Sequence, residues 1–275
     1  MMHQFSFTLT PAICNPRARR AAIAGWLWLA LASPLIGPQP VAAADDDNFG
    51  GVSGQILFDG DPPAREILVK SGDLKVKDPA ICAAADLPGD DLIIDPATKG
   101  VANVFVYLPK AAAISPRLKA SATKHVVFDQ KGCRFVPHAL FARTDQRVTV
   151  MSNDECQHNT HTLPKRGQPI NFLLTGLNRD GIPVPNKLAE PTPFEVKCDI
   201  HPWMKAWWLI LDHPYAAISD AAGKFSITDL PAGDYEFRVW HERAHDIHRA
   251  LKVTVAAGKT TDLGAIKVPA AAFKN

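Results

Sequence analysis

The stretch Phe194-Glu195-Val196-Lys197-Cys198-Asp199-Ile200-His201-Pro202-Trp203-Met204 decides how the chain is read. Its first four residues alternate apolar and polar, the period-two pattern of a half-buried strand. The next seven carry a thiol, an imidazole and a thioether, and Ala206–Leu211 beyond them is a second apolar run of strand length. A strand that ends in a short ligand-bearing loop and returns as another strand is all-β construction. Soft sulfur donors with imidazole are copper donors, and one cysteine and two histidines with a long axial methionine form the donor set of electron-transfer copper. The segment lacks one histidine. His158 supplies it from Asp154-Glu155-Cys156-Gln157-His158-Asn159-Thr160-His161, and His161 competes for the role from the same stretch.

Outward from this segment the punctuation stays β-like. From Gly51 onward no long 3.6-residue period occurs, and short apolar or alternating runs are separated by Gly, Pro, Asp and Asn. The expected strands are Gly54–Phe58, Val101–Leu108, His125–Phe128, His138–Arg143, Arg147–Ser152, Phe194–Lys197, Ala206–Leu211, Lys224–Ile227, Tyr235–Trp240 and Ala250–Val255, spaced as in sandwiches or barrels. Ala111–Ala122 has room for a helical turn limited by Pro116. Pro164–Thr192, rich in Pro, Gly and Asn, reads as a long irregular excursion.

The first 43 residues read as an export signal. Arg17, Arg19 and Arg20 precede an apolar run from Ala21 to Leu35, and Val41-Ala42-Ala43 offers a cleavage site before Asp45-Asp46-Asp47. The run is too short and too poorly flanked for a stable membrane span, so the expected location is periplasmic or secreted, with cleavage near Ala43. About 230 residues then remain, enough for one large or two small domains with real cores. The signal holds three of the 30 basic residues and none of the 28 acidic ones, so the remaining balance turns slightly negative. No dense basic stripe with interleaved aromatics appears, and nucleic acid is not an expected partner. Four cysteines remain, Cys82, Cys133, Cys156 and Cys198, which admit three full pairings in an oxidising compartment. If Cys198 binds metal, the favoured pairing is Cys82 with Cys133, leaving Cys156 unpaired.

The combination strand–Cys-x-x-His-x-x-Met with an upstream His-Asn resembles the cupredoxins, and within them the amicyanin-like members, which share the short loop and an H-N-x-x-H segment like His158–His161. The hairpin-like runs across Gly132–Val150 strengthen the resemblance, which covers about 120–212. It implies a Greek-key sandwich with His158 and His201 as equatorial nitrogen ligands, Cys198 as equatorial thiolate and Met204 as weak axial ligand. It also implies that Asn159 braces the loop bearing Cys198, and that His201 lies near the surface and offers its ring edge as an electron exit. Through Gly132-Cys133-Arg134-Phe135 the chain is further similar to exported cupredoxin-like proteins, some labelled as methylamine-utilisation proteins. The later pattern Asp220-Ala221-Ala222-Gly223-Lys224-Phe225 running to Leu230-Pro231-Ala232-Gly233-Asp234-Tyr235 resembles the transthyretin-like sandwich of carboxypeptidase regulatory domains. Gly54-Gln55-Ile56 and Gly60-Asp61-Pro62-Pro63 resemble that family's opening. The expected organisation is therefore a cupredoxin-like domain at 120–212, inserted in or packed on a second small β-sandwich built from 50–110 plus 213–270.

The function these features imply is a one-electron copper carrier, not an enzyme, that meets a redox partner protein. A carrier that delivers copper itself and a secreted binding module without redox activity are the alternatives. His241-Glu242-Arg243-Ala244-His245 matches the H-E-x-x-H of zinc peptidases, but it continues an alternating β run without a helix N-cap, and a surface loop is the expectation. No G-x-S-x-G elbow or Gly-rich phosphate loop is present, which disfavours hydrolases and nucleotide enzymes.

Overall fold

The computed structural model describes residues 48–273, which pack as one unit. The expected signal sequence at 1–43 lies outside the described residues. Strands follow in chain order as β1 (Phe49–Asp59), β2 (Ile67–Val69), β3 (Leu87–Pro88), β4 (Phe105–Tyr107), β5 (His125–Gln130), β6 (Phe135–Val136), β7 (Ala139–Arg143), β8 (Arg147–Ser152) and β9 (His158–Thr162). They continue as β10 (Asn171–Leu174), β11 (Ile182–Pro185), β12 (Phe194–Lys197), β13 (Lys205–Leu211), β14 (Ala216–Ile218), β15 (Lys224–Pro231), β16 (Gly233–His241), β17 (His245–Val255) and β18 (Thr260–Pro269). One four-residue helix, α1 (Pro79–Cys82), and two 3-10 turns at Pro116–Leu118 and Ala270–Phe273 complete the regular structure of the described residues. The protein is all-β.

Four main sheets form, in the orders β15-β1-β18, β14-β4-β16-β17, β10-β9-β12-β13-β7 and β11-β8-β5-β6. The first two draw on residues before 108 and after 215, the last two on residues 125–211. Three buried apolar clusters lie between successive sheets, and side-chain alternation explains how one strand serves two of them. In β13, Ala206, Trp208 and Ile210 join the cluster shared with the β5–β8 sheet, while Leu209 and Leu211 turn to the opposite cluster with Phe105, Tyr107 and Trp240. In β4, Phe105 and Tyr107 enter that middle cluster and Val106 enters the outer one beside β1 and β15. Strands buried on both faces have no polar face to show, which is why Ala206–Leu211 is continuously apolar.

Several expectations shift. Val101–Leu108 contracts to Phe105–Tyr107, because Asn103 stands in the left-handed region (φ 63°) and interrupts the extended run. The excursion 164–192 is not irregular throughout: it contains β10 and β11, paired with β9 and β8. The nearly buried Glu190 carboxylate organises its start by accepting the backbone N–H groups of Lys165, Arg166 and Gly167 at 2.7–3.1 Å. The helical turn expected within 111–122 is the 3-10 turn at Pro116–Leu118. Gly223 (φ +77°) follows Asp220-Ala221-Ala222 in the turn into β15, and a Cβ there would stand 2.2 Å from the Ile56 carbonyl oxygen. Only glycine meets both conditions.

Candidate metal centre

Strand pairing assembles the centre. β12 and β13 are antiparallel, with Val196 opposite Ala206 and Lys197 opposite Lys205, so residues 198–204 form the connecting loop. The loop closes on itself: the Cys198 N–H donates to the Met204 carbonyl (3.1 Å) and the Met204 N–H to the His201 carbonyl (2.9 Å). β9 pairs with β12 through Lys197 and His161, so the His158 end of β9 runs on beside the loop.

Within β9 the period of two separates the two candidate histidines, since positions three apart face opposite sides of a strand. His158 is fully buried. His161 is partly exposed and its Nδ1 lies 3.0 Å from an Asp199 carboxylate oxygen, so it stands outside the buried cluster. Ligand atoms of His158, Cys198 and His201 lie within 4.8 Å of one another, and all three residues are buried. His158 Nδ1 faces His201 Nδ1 at 2.9 Å, and Cys198 Sγ is 3.8 Å from His201 Nδ1. Met204 is equally buried and belongs to the same core cluster as Cys198.

The outer nitrogens are both held by carboxylates. His158 Nε2 lies 2.9 Å from Asp154 Oδ2, and His201 Nε2 lies 3.1 Å from Asp78 Oδ2. A carboxylate accepts, so each Nε2 carries its proton and, in the neutral ring, each Nδ1 presents a lone pair. Two lone pairs facing each other at 2.9 Å need a cation between or beside them, either a proton or a metal ion. This is the outer-shell arrangement that fixes the tautomer of metal-ligating histidines. Asp154 is itself anchored by the N–H groups of Gly132 and Cys133, at 2.5 and 2.8 Å. Asn159 braces the loop: its Oδ1 accepts from Asp199 N (2.7 Å) and lies 3.2 Å from Cys198 Sγ, which donates to it only as the protonated thiol.

Burial opposes charge on the Cys198 thiol, but the His158 and His201 imidazoles, with backbone donors at Asn159 and His201, outweigh it and bring its pKa down to about 6. Burial likewise opposes charge on His158, yet hydrogen bonding to Asp154 and Cys198 carries it up to about 9. The metal-free pair is thus a thiolate beside an imidazolium at neutral pH, and the thiolate is the form that binds metal.

One feature departs from the reading of the sequence. His201 is not at the surface: it is fully buried, with its outer nitrogen capped by Asp78 and its ring 5.3 Å from that of Trp203. The cover is the 70–90 segment, which carries α1 and is stapled by the disulfide Cys82–Cys133. Asp78 stands in the left-handed region (φ 52°), one of the few side chains that tolerates it. The expected pairing of Cys82 with Cys133 is present, and Cys156 and Cys198 are free and buried. Cys156 Sγ lies 3.4 Å from His158 Nε2, and burial and the Asp154 charge push its thiol up to about 11, so it stays protonated where Cys198 does not.

Sequence reasoning missed Asp154 and Asp78 as neighbours of the centre. Asp154 had a usable signal, its place in the turn before His158. Asp78 had none, since it arrives from 123 residues away.

The second histidine motif does not assemble. His241 ends β16 and His245 begins β17, opposite each other across a tight hairpin, with no helix to align them. His241 is buried, its Nδ1 accepts from the Arg243 N–H (3.2 Å), and burial depresses its pKa to about 3. His245 is exposed.

No family model matches the chain, and no curated protein matches it. Solved structures resemble part of it. Amicyanin from Paracoccus versutus is 11% identical, over 38% of this chain and 96% of that one, with a TM-score of 0.28. A purple cupredoxin from Nitrosopumilus maritimus is 16% identical, over 32% and 99%, with a TM-score of 0.26. A copper-containing nitrite reductase from Thermus scotoductus is 17% identical over 37% of this chain and only 27% of its own length, with a TM-score of 0.28. Among the described residues no helix is long and apolar enough to cross a membrane.

Proposed function

We propose that the chain is an exported copper protein that carries single electrons, with copper held by His158, Cys198 and His201 and, more weakly, by Met204. The reading rests chiefly on the two imidazole Nδ1 atoms 2.9 Å apart beside the Cys198 sulfur, each ring locked by a carboxylate on its other nitrogen. One thiolate, two imidazoles and a nearby buried thioether suit copper better than zinc, whose structural sites take four strong donors. Bound copper supplies a one-electron couple. The protein's part is to keep the donor set rigid and dry: Asp154 and Asp78 fix the two rings, Asn159 fixes the Cys198 loop, and the disulfide-stapled 70–90 segment excludes water.

The ligand residues are all buried, which suits outer-sphere electron transfer to a partner protein and not catalysis, where a metal keeps an open position. Trp203, partly exposed and with its ring 5.3 Å from that of His201, would give bound copper an outward route for an electron. We read residues 120–212 as the copper-binding domain and the sheets from 50–110 and 213–270 as its scaffold, a second sandwich, with periplasmic or secreted export directed by 1–43. Copper loading followed by visible spectroscopy and one-electron titration tests the function. An intense thiolate-to-copper band that bleaches reversibly with one electron per chain is expected. Tight copper binding without that band supports delivery of the metal instead.

A further inference from the structure

The two arms of the 164–192 excursion, with the ends of β9 and β12 and part of β13, enclose a cavity of about 530 Å³. It lies at the end of the sheet remote from the ligand loop: Thr162 closes β9 and Phe194 opens β12, whereas His158 and Cys198 stand at the other ends. None of the proposed metal ligands lines it. The sheet contributes the buried side chains of Phe194, Trp208 and Ile210, one arm contributes Ile170, and the other contributes Val184 and Leu188. The arms are fixed without an occupant. Thr162 N–H donates to the Ile170 carbonyl (2.9 Å), Ile170 N–H to Thr162 Oγ1 (3.1 Å), and the Glu190 carboxylate ties the second arm to the N–H groups of Lys165, Arg166 and Gly167. The volume falls within the range of small-molecule sites, about 300–1,000 Å³.

The charges around this apolar space are one-sided. Glu190 is the only acidic residue in the lining, it is buried, and both of its oxygens already accept backbone N–H groups. Lys187 lines the cavity, is exposed, and has no ion pair among the described residues. Lys165 and Arg166, between the lining residues Pro164 and Gly167, are exposed and have no acidic partner for their side chains either. Leu188, 54% exposed, carries the apolar surface out to the mouth beside Lys187.

We propose that this cavity binds a medium-chain fatty acid, with its alkyl tail among Ile170, Val184, Phe194 and Trp208 and its carboxylate at the mouth on Lys187. Apolar walls favour the tail, and unpaired cations at the mouth favour an anionic head over a cationic one. The two parts contribute unequally. Each buried methylene is worth about fourfold in affinity, whereas an exposed ion pair is worth at most about fivefold, so the tail sets the strength of binding and the head sets its selectivity. The site does not depend on which metal the buried donors hold.

Calorimetric titration of the purified full chain without metal, with decanoate, octanoate, octan-1-ol and octylamine, tests the proposal. Saturable one-to-one binding of decanoate is expected, with octanoate about 15-fold weaker because it buries two fewer methylenes. Octan-1-ol is expected to bind about threefold to fivefold more weakly than octanoate, and octylamine at least about tenfold more weakly. Lys187→Glu is expected to bring octanoate and octylamine within about threefold of each other, and Leu188→Asp to weaken decanoate about tenfold. Both side chains are exposed, so the thermal midpoint of each variant stays at that of the parent. No saturable heat with millimolar decanoate overturns the proposal, as do equal affinities for decanoate and octanoate. Octan-1-ol or octylamine matching octanoate in the parent also overturns it, and so does binding that neither variant changes.

Discussion

Two short histidine motifs, His158–His161 with the Cys198 loop and His241–His245, each match a known metal-ligand spacing and have opposite fates in space. The first converges because three strands in register deliver its members to one end of a sheet, and each donor is then fixed by an outer partner. The second needs a helix to bring positions four apart onto one face, and it lies instead across a hairpin, one ring buried and the other exposed. Ligand spacing carries meaning only through the backbone period beneath it.

The sharpest way to break this contrast is to delete one donor from each motif. Cys198→Ser is expected to abolish retention of copper through dialysis, whereas His241→Ala and His245→Ala keep the metal stoichiometry of the parent. His241→Ala lowers the unfolding midpoint only, because the ring packs on Phe273 (5.3 Å). Retained copper in Cys198→Ser, or lost copper in His245→Ala, reverses the comparison.

Next in size are the outer partners. Asp78→Asn and Asp154→Asn each leave the three inner donors in place but unfix a ring, and affinity for copper is expected to fall by about 10–100-fold in chelator competition. Equal affinity in both variants would mean the rings are held by packing alone.

A third effect appears in the metal-free protein. The pKa of Cys198 is lowered from 9.0 to about 6, so the stability this thiolate contributes is fully present above the ordinary thiol value and is lost as pH falls through about 6. Ultraviolet thiolate absorbance should titrate with a midpoint near that value. Because metal competes with the same proton, copper affinity weakens over the same descent in pH. His158→Ala should move the thiolate midpoint upward, and an unmoved midpoint would remove His158 from the account. Smallest of all is His161→Ala, expected to change copper affinity by less than about fivefold, since it deletes only a partly exposed ion pair with Asp199.

Much of the centre was legible. Cys198, His201 and Met204 were visible because they sit on one loop, and the cystine Cys82–Cys133 was reachable once Cys198 was set aside. The choice between His158 and His161 was not legible, since no strand was expected at 158–162; it follows only once β9 is known, because three positions along a strand change faces. The burial of His201 was not legible: its cover comes from the 70–90 segment, whose docking depends on Asp78 and a long-range disulfide, not on local pattern. The same limit applies to the fold. Alternation marked most strands, but the third core cluster, where Phe105, Tyr107 and Trp240 meet Leu209 and Leu211, joins residues with no sequence signal of adjacency. Strands β10 and β11 were hidden by Pro and Gly content, and their order comes from Glu190 capturing the start of the excursion.

The central claim, that His158, Cys198 and His201 together hold one copper ion as a redox centre, is tested most directly by the visible spectrum of copper-loaded protein measured alongside metal content. The account predicts one copper per chain and an intense thiolate charge-transfer band that disappears on one-electron reduction and is absent from Cys198→Ser. Copper bound at one per chain in the oxidised protein without such a band, or a band that survives in Cys198→Ser, would contradict it.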